Sequence, residues 1–186
     1  HFPSHFNGFK FFFKGKKLTK KMEKKIEYKL NNKKEFIGKR SKVLKINYNQ
    51  YINFINRTFK INIKKKILAD FANGSAALSI GKIKFLDKVS KVNFRFNGEN
   101  INKKCGSNYL KKNCKKKFKH YDYCFAFDGD ADRILISEKK YGIIESEKIA
   151  LIFLKYLGKT QYRKKKNIVT TEISNPWLSE QLKKDK

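Results

Sequence analysis

The chain has 186 residues, enough for one good domain with pieces of neighbours, and its 40% hydrophobic content supports a core. Its formal charge of +30 comes from 46 Lys and Arg against 16 Asp and Glu, with arginine only at Arg40, Arg57, Arg95, Arg133 and Arg163. Lysine alongside abundant Asn, Ile, Phe and Tyr is what AT-rich codons supply. The lysine runs at 64–66, 115–117 and 164–166 also lack regular aromatic interleaving, so solvated faces are expected and nucleic acid is not. Cys105, Cys114 and Cys124 form no CxxC pair, which points to free thiols in a reducing cytoplasm. With no apolar run long enough to span a bilayer and no secretory signal, a cytoplasmic location without membrane association is expected.

Residues 1–8 read as a loop feeding an apolar strand over 9–13, which Gly15 ends. Lys10 interrupts that strand on the face of Phe12, so it is either a snorkelling lysine or one held in a site. Leu18, Met22, Ile26 and Leu30 fall at helical spacing and predict a core stripe. A polar turn at 31–34 follows, then an amphipathic helix within 41–59 that Ser41 could cap. Residues 56–66 read as a linker, after which Ile67, Leu68, Ala69 and Phe71 predict a buried strand turned by Asn73 and Gly74. A helix is expected over 76–86, a strand over 89–96, a turn at Asn97 and Gly98, and a short helix from Ser107. Strands over 123–127 and 134–137 flank an acidic loop, and Tyr141 and Gly142 turn the second. A helix over 145–157 is expected to turn Ile149, Ile152, Phe153 and Tyr156 inward. A charged linker at 159–166, a strand over 168–173 and a helix opening at Asn175 and Pro176 complete the chain. Strands alternating with helices indicate an α/β fold on a largely parallel or mixed sheet.

The acidic loop is the most informative stretch. Asp128, Asp130 and Asp132 are three of only seven aspartates in the chain, and they stand at alternate positions between two apolar strands. Carboxylates so placed repel one another unless a cation lies among them, and a hard divalent ion, Mg2+, is the simplest candidate. A calcium hand would require Gly and Glu where Arg133 and Lys139 stand. A dehalogenase-type phosphatase with Asp128 as nucleophile is a weaker rival, since it usually has Thr or Val in place of Asp132. Arg133 either offers its planar fork to a phosphate or neutralises the carboxylates beside it.

The loop Asp128-Gly129-Asp130-Ala131-Asp132-Arg133 resembles the metal loop of the α-D-phosphohexomutases. Three further stretches are similar to that family's motifs, in its order and at its approximate spacing. They are His1-Phe2-Pro3 with Asn7-Gly8-Phe9-Lys10, Asp70-Phe71-Ala72-Asn73-Gly74, and the segment from Asn97 to Ser107. The resemblance implies a mixed-sheet, three-layer α/β domain with partial flanking α/β domains. The implied division is the C-terminal part of domain 1 and a linker helix at 1–60, domain 2 with the metal loop at 61–165, and the start of domain 3 at 166–186. It implies a phosphosugar substrate, most like the amino-sugar phosphate of one bacterial branch, with hexose phosphates as alternatives. A phosphoserine and a bisphosphate intermediate would carry the phosphoryl group, with Mg2+ on Asp128, Asp130 and Asp132. His1, Lys10 and Arg133 match catalytic positions, Lys10 as a proton-transfer group. The family's phosphoserine precedes His1, so the remainder of the protein's own chain is an expected partner, and without it the 186 residues are expected to be inactive. A degraded remnant and a basic nucleic-acid-binding protein stand as further alternatives.

Overall fold

The computed structural model describes residues 4–6, 11–32, 47–116, 118–157 and 169–184. Two short strands, β1 (Phe12–Phe13) and β2 (Lys16–Lys17), pair antiparallel around Gly15 at φ +74, a left-handed turn that glycine adopts freely. Helix α1 (Lys20–Asn31) starts at Thr19, whose side chain accepts from the Met22 amide, and stops at Asn32. Its apolar stripe is present but is not core: no residue of α1 is buried, and Met22 and Leu30 are exposed. Periodicity reports a face that can be buried; which neighbour buries it is a separate matter. Helix α2 (Asn49–Thr58) buries only Ile52. The expected Ser41 cap and the linker at 159–166 lie outside the described residues.

The central sheet is built from β3 (Ile67–Asp70), β4 (Ser90–Val92), β5 (Tyr123–Phe127), β6 (Ile134–Glu138) and β7 (Gly142–Ile144), in the order β4-β3-β5-β6-β7. The first three are mutually parallel, while β6 and β7 run antiparallel to their neighbours, so the sheet is mixed. Alternation along the strands supplies a core on each face. On one face Leu68, Cys124 and Ala126 pack with Leu110 of α4 (Leu110–Lys116) and with Phe118. On the other, Ala69, Phe71 and Val89 pack with Ala76 and Ala77 of α3 (Ala76–Ser79). Phe71 stacks edge-on against Phe94 at 4.9 Å and tilted against Phe127 at 5.4 Å. Helix, sheet and helix make three layers.

Several expectations change. The helix expected over 76–86 is one α turn followed by 3-10 turns at Ile80–Lys82 and Lys84–Lys88, with Gly81 inside the break. The strand expected over 89–96 pairs only at Ser90–Val92, because Asn93 turns left-handed at φ 50. Strand β7 was not expected. Helix α5 (Ser146–Leu157) exposes Ile152, Phe153 and Tyr156, against the inward face read from the sequence, and half-buries Ile149, Leu151 and Leu154. A helix apolar on nearly every side offers several inward faces, and packing against α6 (Pro176–Lys184) chooses among them. The strand expected over 168–173 is absent among the described residues: Val169 and Ile173 are 95% exposed and the Ser174 amide donates to the Thr171 carbonyl in a turn. A strand needs a neighbour to satisfy its backbone, and no described strand pairs with this stretch.

Candidate metal centre

Because β3, β4 and β5 are parallel, their C-terminal ends meet at one edge of the sheet, and each runs into one of the quoted motifs. Residues 71–75 follow β3, the stretch from 93 to 106 follows β4, and the acidic loop follows β5. The fit between them is close. A side chain on Gly74 would overlap the Gly129 carbonyl, and one on Gly129 would meet Asn102 Nδ2 at 2.6 Å and Ile101 Cδ1 at 2.7 Å. The Ser75 amide donates to the Gly129 carbonyl at 2.9 Å, and the Asn102 amide to the Ala72 carbonyl at 2.9 Å.

The acidic loop joins β5 to β6 as a hairpin tip. The Asp128 amide donates to the Arg133 carbonyl at 3.3 Å, and the Arg133 amide returns to Asp128 Oδ1 at 3.2 Å. Ala131, at φ 60, makes the left-handed step that lets the loop curl. The structure brings Asp128, Asp130 and Asp132 together, with one oxygen from each within 4.8 Å of the others. Asp128 is buried, while Asp130 and Asp132 are exposed. Arg133 Nε reaches Asp128 Oδ2 at 2.7 Å and Asp132 Oδ1 at 3.4 Å, so the arginine does neutralise its neighbours, with its side chain still 63% exposed.

The electrostatics of the trio are those of crowded carboxylates. Burial pushes Asp128 upward, but hydrogen bonds from the Arg133 amide and guanidinium and from Asp132 outweigh it and hold the carboxyl below its ordinary value. Asp132 is raised, first by its hydrogen bond to Asp128, then by its slight desolvation and by the charges of Asp130 and Asp128. Arg133 is raised by its bond to Asp128. A cation among these oxygens would relieve the repulsion that lifts Asp132. The donor set fits a hard divalent ion: oxygens only, one oriented by burial and two facing solvent, with coordination positions left for water or phosphate.

His1 and Lys10 lie outside the described residues. Sequence reasoning gave Asp70 and Gly106 no role and Gly74 only that of a turn residue, whereas Gly74 lies against Gly129 and Gly106 against the Phe127 carbonyl, on either side of the acidic loop. The available signal was that each belongs to a motif directly following a strand of one parallel set.

No family model matches the chain. The chain is 35% identical to phosphoglucosamine mutase of Caldicellulosiruptor bescii over 195 residues, covering 96% of this chain and 42% of the relative. It is 33% identical to that of Clostridium tetani over 199 residues, covering 100% and 44%. Against that of Caldanaerobacter subterraneus it is 34% identical over 191 residues, covering 94% and 42%. The chain therefore spans less than half the length of these curated relatives. Its fold is shared with a phosphoglucomutase/phosphomannomutase family protein from Burkholderia thailandensis, with a TM-score of 0.50 and 24% identity over 60% of this chain and 26% of that one. The family resemblance carried by the four motifs is borne out.

Proposed function

We propose that this chain, similar to phosphoglucosamine mutases along nearly its whole length, is the metal-loop portion of such an enzyme, interconverting glucosamine 6-phosphate and glucosamine 1-phosphate. The observation that carries the reading is the convergence of three family motifs on one carboxylate trio at the C-terminal edge of the parallel strands. The reaction class is an intramolecular phosphoryl transfer serving amino-sugar and cell-wall precursor synthesis in the cytoplasm. Among the described residues, no helix is long and apolar enough to cross a membrane.

In this reading Asp128, Asp130 and Asp132 would hold Mg2+, and the chemistry it would supply is neutralisation of charge on a phosphoryl group in transfer. Asp128 is kept ionised and aimed by the Arg133 amide and Nε. The exposed remainder of the Arg133 guanidinium faces phosphate oxygens as the sugar bisphosphate turns over. By the family resemblance Lys10 takes the role of moving a proton at the sugar hydroxyl and His1 that of the catalytic loop histidine. Residues 1–60, 61–165 and 166–186 act as the end of domain 1, domain 2 and the start of domain 3. The sugar specificity and the remaining phosphate contacts come from the rest of the polypeptide.

The test is a coupled assay for glucosamine 1-phosphate, run on the 186 residues alone and on a polypeptide that carries them with the flanking segments its relatives possess. Turnover is expected only in the longer protein and is expected to disappear in Asp128→Asn. Full activity in that variant would refute the assignment. Glucose and mannose phosphates belong in the same assay, because the structural neighbour is a phosphoglucomutase/phosphomannomutase family protein.

A further inference from the structure

Asp70 ends β3 with its side chain fully buried and both carboxylate oxygens engaged. Oδ1 accepts from the Ala72 amide at 3.0 Å, and Oδ2 accepts from the Gly106 amide at 2.9 Å, a residue thirty-six positions away. We infer that Asp70 is a positioning residue for the metal loop, acting through the two turns that its oxygens hold. The inference rests on the metal-loop reading above.

Each hydrogen bond leads to one side of the acidic loop. The bond to Ala72 secures a turn in which Ala72 and Asn73 are both left-handed, at φ 54 and φ 51. An alanine there is disfavoured unless something holds it. That turn carries Gly74 onto Gly129 and aims the Ser75 amide at the Gly129 carbonyl. The bond to Gly106 secures the other side. Gly106, at φ +71, sits so close that a side chain would meet the Ala72 Cβ and the Phe127 carbonyl, each at 2.6 Å. Phe127 is the last residue of β5 before Asp128. One buried carboxylate therefore fixes both the turn under the loop and the turn beside its first ligand.

Only a carboxylate serves both donors. In Asp70→Asn one oxygen still accepts, but the amide nitrogen is turned towards the remaining N–H, leaving two donors face to face. Loss of a group hydrogen-bonded directly to a metal ligand weakens affinity by about 10–100-fold, and Asp70, one step further back, is expected at the lower end of that range.

The experiment is Mn2+ titration of the 186-residue chain, reading free ion by electron paramagnetic resonance, with thermal melts alongside. The variants are Asp70→Asn, Ser75→Pro, Ser75→Ala and Asp128→Asn. Ser75 is exposed, its side chain makes no capping bond, and its φ of −63 already suits proline. Ser75→Pro thus removes the amide that reaches Gly129, whereas Ser75→Ala keeps it. Expected is about tenfold weaker Mn2+ binding in Asp70→Asn and Ser75→Pro, each still melting cooperatively, with Ser75→Ala like the parent. Should Asp70→Asn not fold, Ser75→Pro decides. Parent-like Mn2+ affinity in folded Asp70→Asn, or in Ser75→Pro, overturns the inference. A parent that binds Mn2+ no better than Asp128→Asn would instead overturn the metal-loop reading, and the inference with it.

Discussion

Replacing Gly74 by alanine tests whether the turn after β3 really lies against the acidic loop. An added methyl would overlap the Gly129 carbonyl oxygen and stand 2.8 Å from both its carbonyl carbon and its Cα. These are backbone atoms, so no rotamer change relieves the clash. Gly74 does not have a left-handed φ, so alanine is refused for lack of space alone. Overpacking of this kind costs about 1–3 kcal/mol. The lower chain entropy of alanine in the unfolded state returns about 0.4–1 kcal/mol. A net loss of about 1–2 kcal/mol corresponds to a melting temperature lower by roughly 2–8 °C for a chain of this size. Circular dichroism melts of the parent and Gly74→Ala measure it directly. Gly98→Ala is the comparison, since that position has open space and only its φ of +86 opposes a side chain. A Gly74→Ala protein that melts at or above the parent would refute the close approach of the two loops.

Leu110 is fully buried under the sheet, so Leu110→Ala is expected to lose about 2–5 kcal/mol, read as a lower urea midpoint at unchanged slope. The Asp128 carboxyl, held below its ordinary value of 3.8, contributes stability that is fully present above about pH 4 and is lost as pH falls through its depressed pKa. Acid titration of Asp128→Asn should accordingly show a flatter acid limb than the parent, and an identical limb would contradict the Arg133 bonds. Burial pushes the Cys105 thiol up to about 11, and burial with the neighbouring Cys114 pushes Cys124 up to about 12. Raised thiols bind protons more tightly when folded, so stability is expected to be complete below about pH 9 and to decline as pH rises from there. At pH 8 iodoacetamide should label half-buried Cys114 first, and equal labelling of all three cysteines in the folded chain would contradict this packing.

The sheet strands were legible where the sequence puts an apolar run between turn residues, as at Tyr123–Phe127, and the loop after it was legible because three carboxylates in a lysine-rich chain demand a reason. What failed depends on partners. Ile152, Phe153 and Tyr156 lie at helical spacing, yet they are exposed, and Ile149, Leu151 and Leu154 are the half-buried residues of a helix that touches α6. Val169 and Ile173 have strand propensity but join no ladder among the described residues, since a strand's hydrogen bonds belong to its neighbour. Asp70 looked like one more letter in a motif. Its importance comes from an amide thirty-six residues on, a contact that no local spacing announces.

The hairpin nature of the acidic loop has a consequence for its length. Asp128 and Arg133 close the loop at both ends, and the β5–β6 ladder begins at once, with Phe127 opposite Ile134 and Cys124 opposite Ser137. If β6 absorbed one inserted residue by sliding one position, Leu135 and buried Ser137 would turn towards the opposite face and Ile134 and Ile136 would take their places. An insertion taken up in that way is thus opposed by the hydrophobic core beneath, independently of any ion. Point substitution can replace one of these carboxylates without disturbing the ladder, whereas an insertion that β6 takes up changes which residues of the second strand face the core.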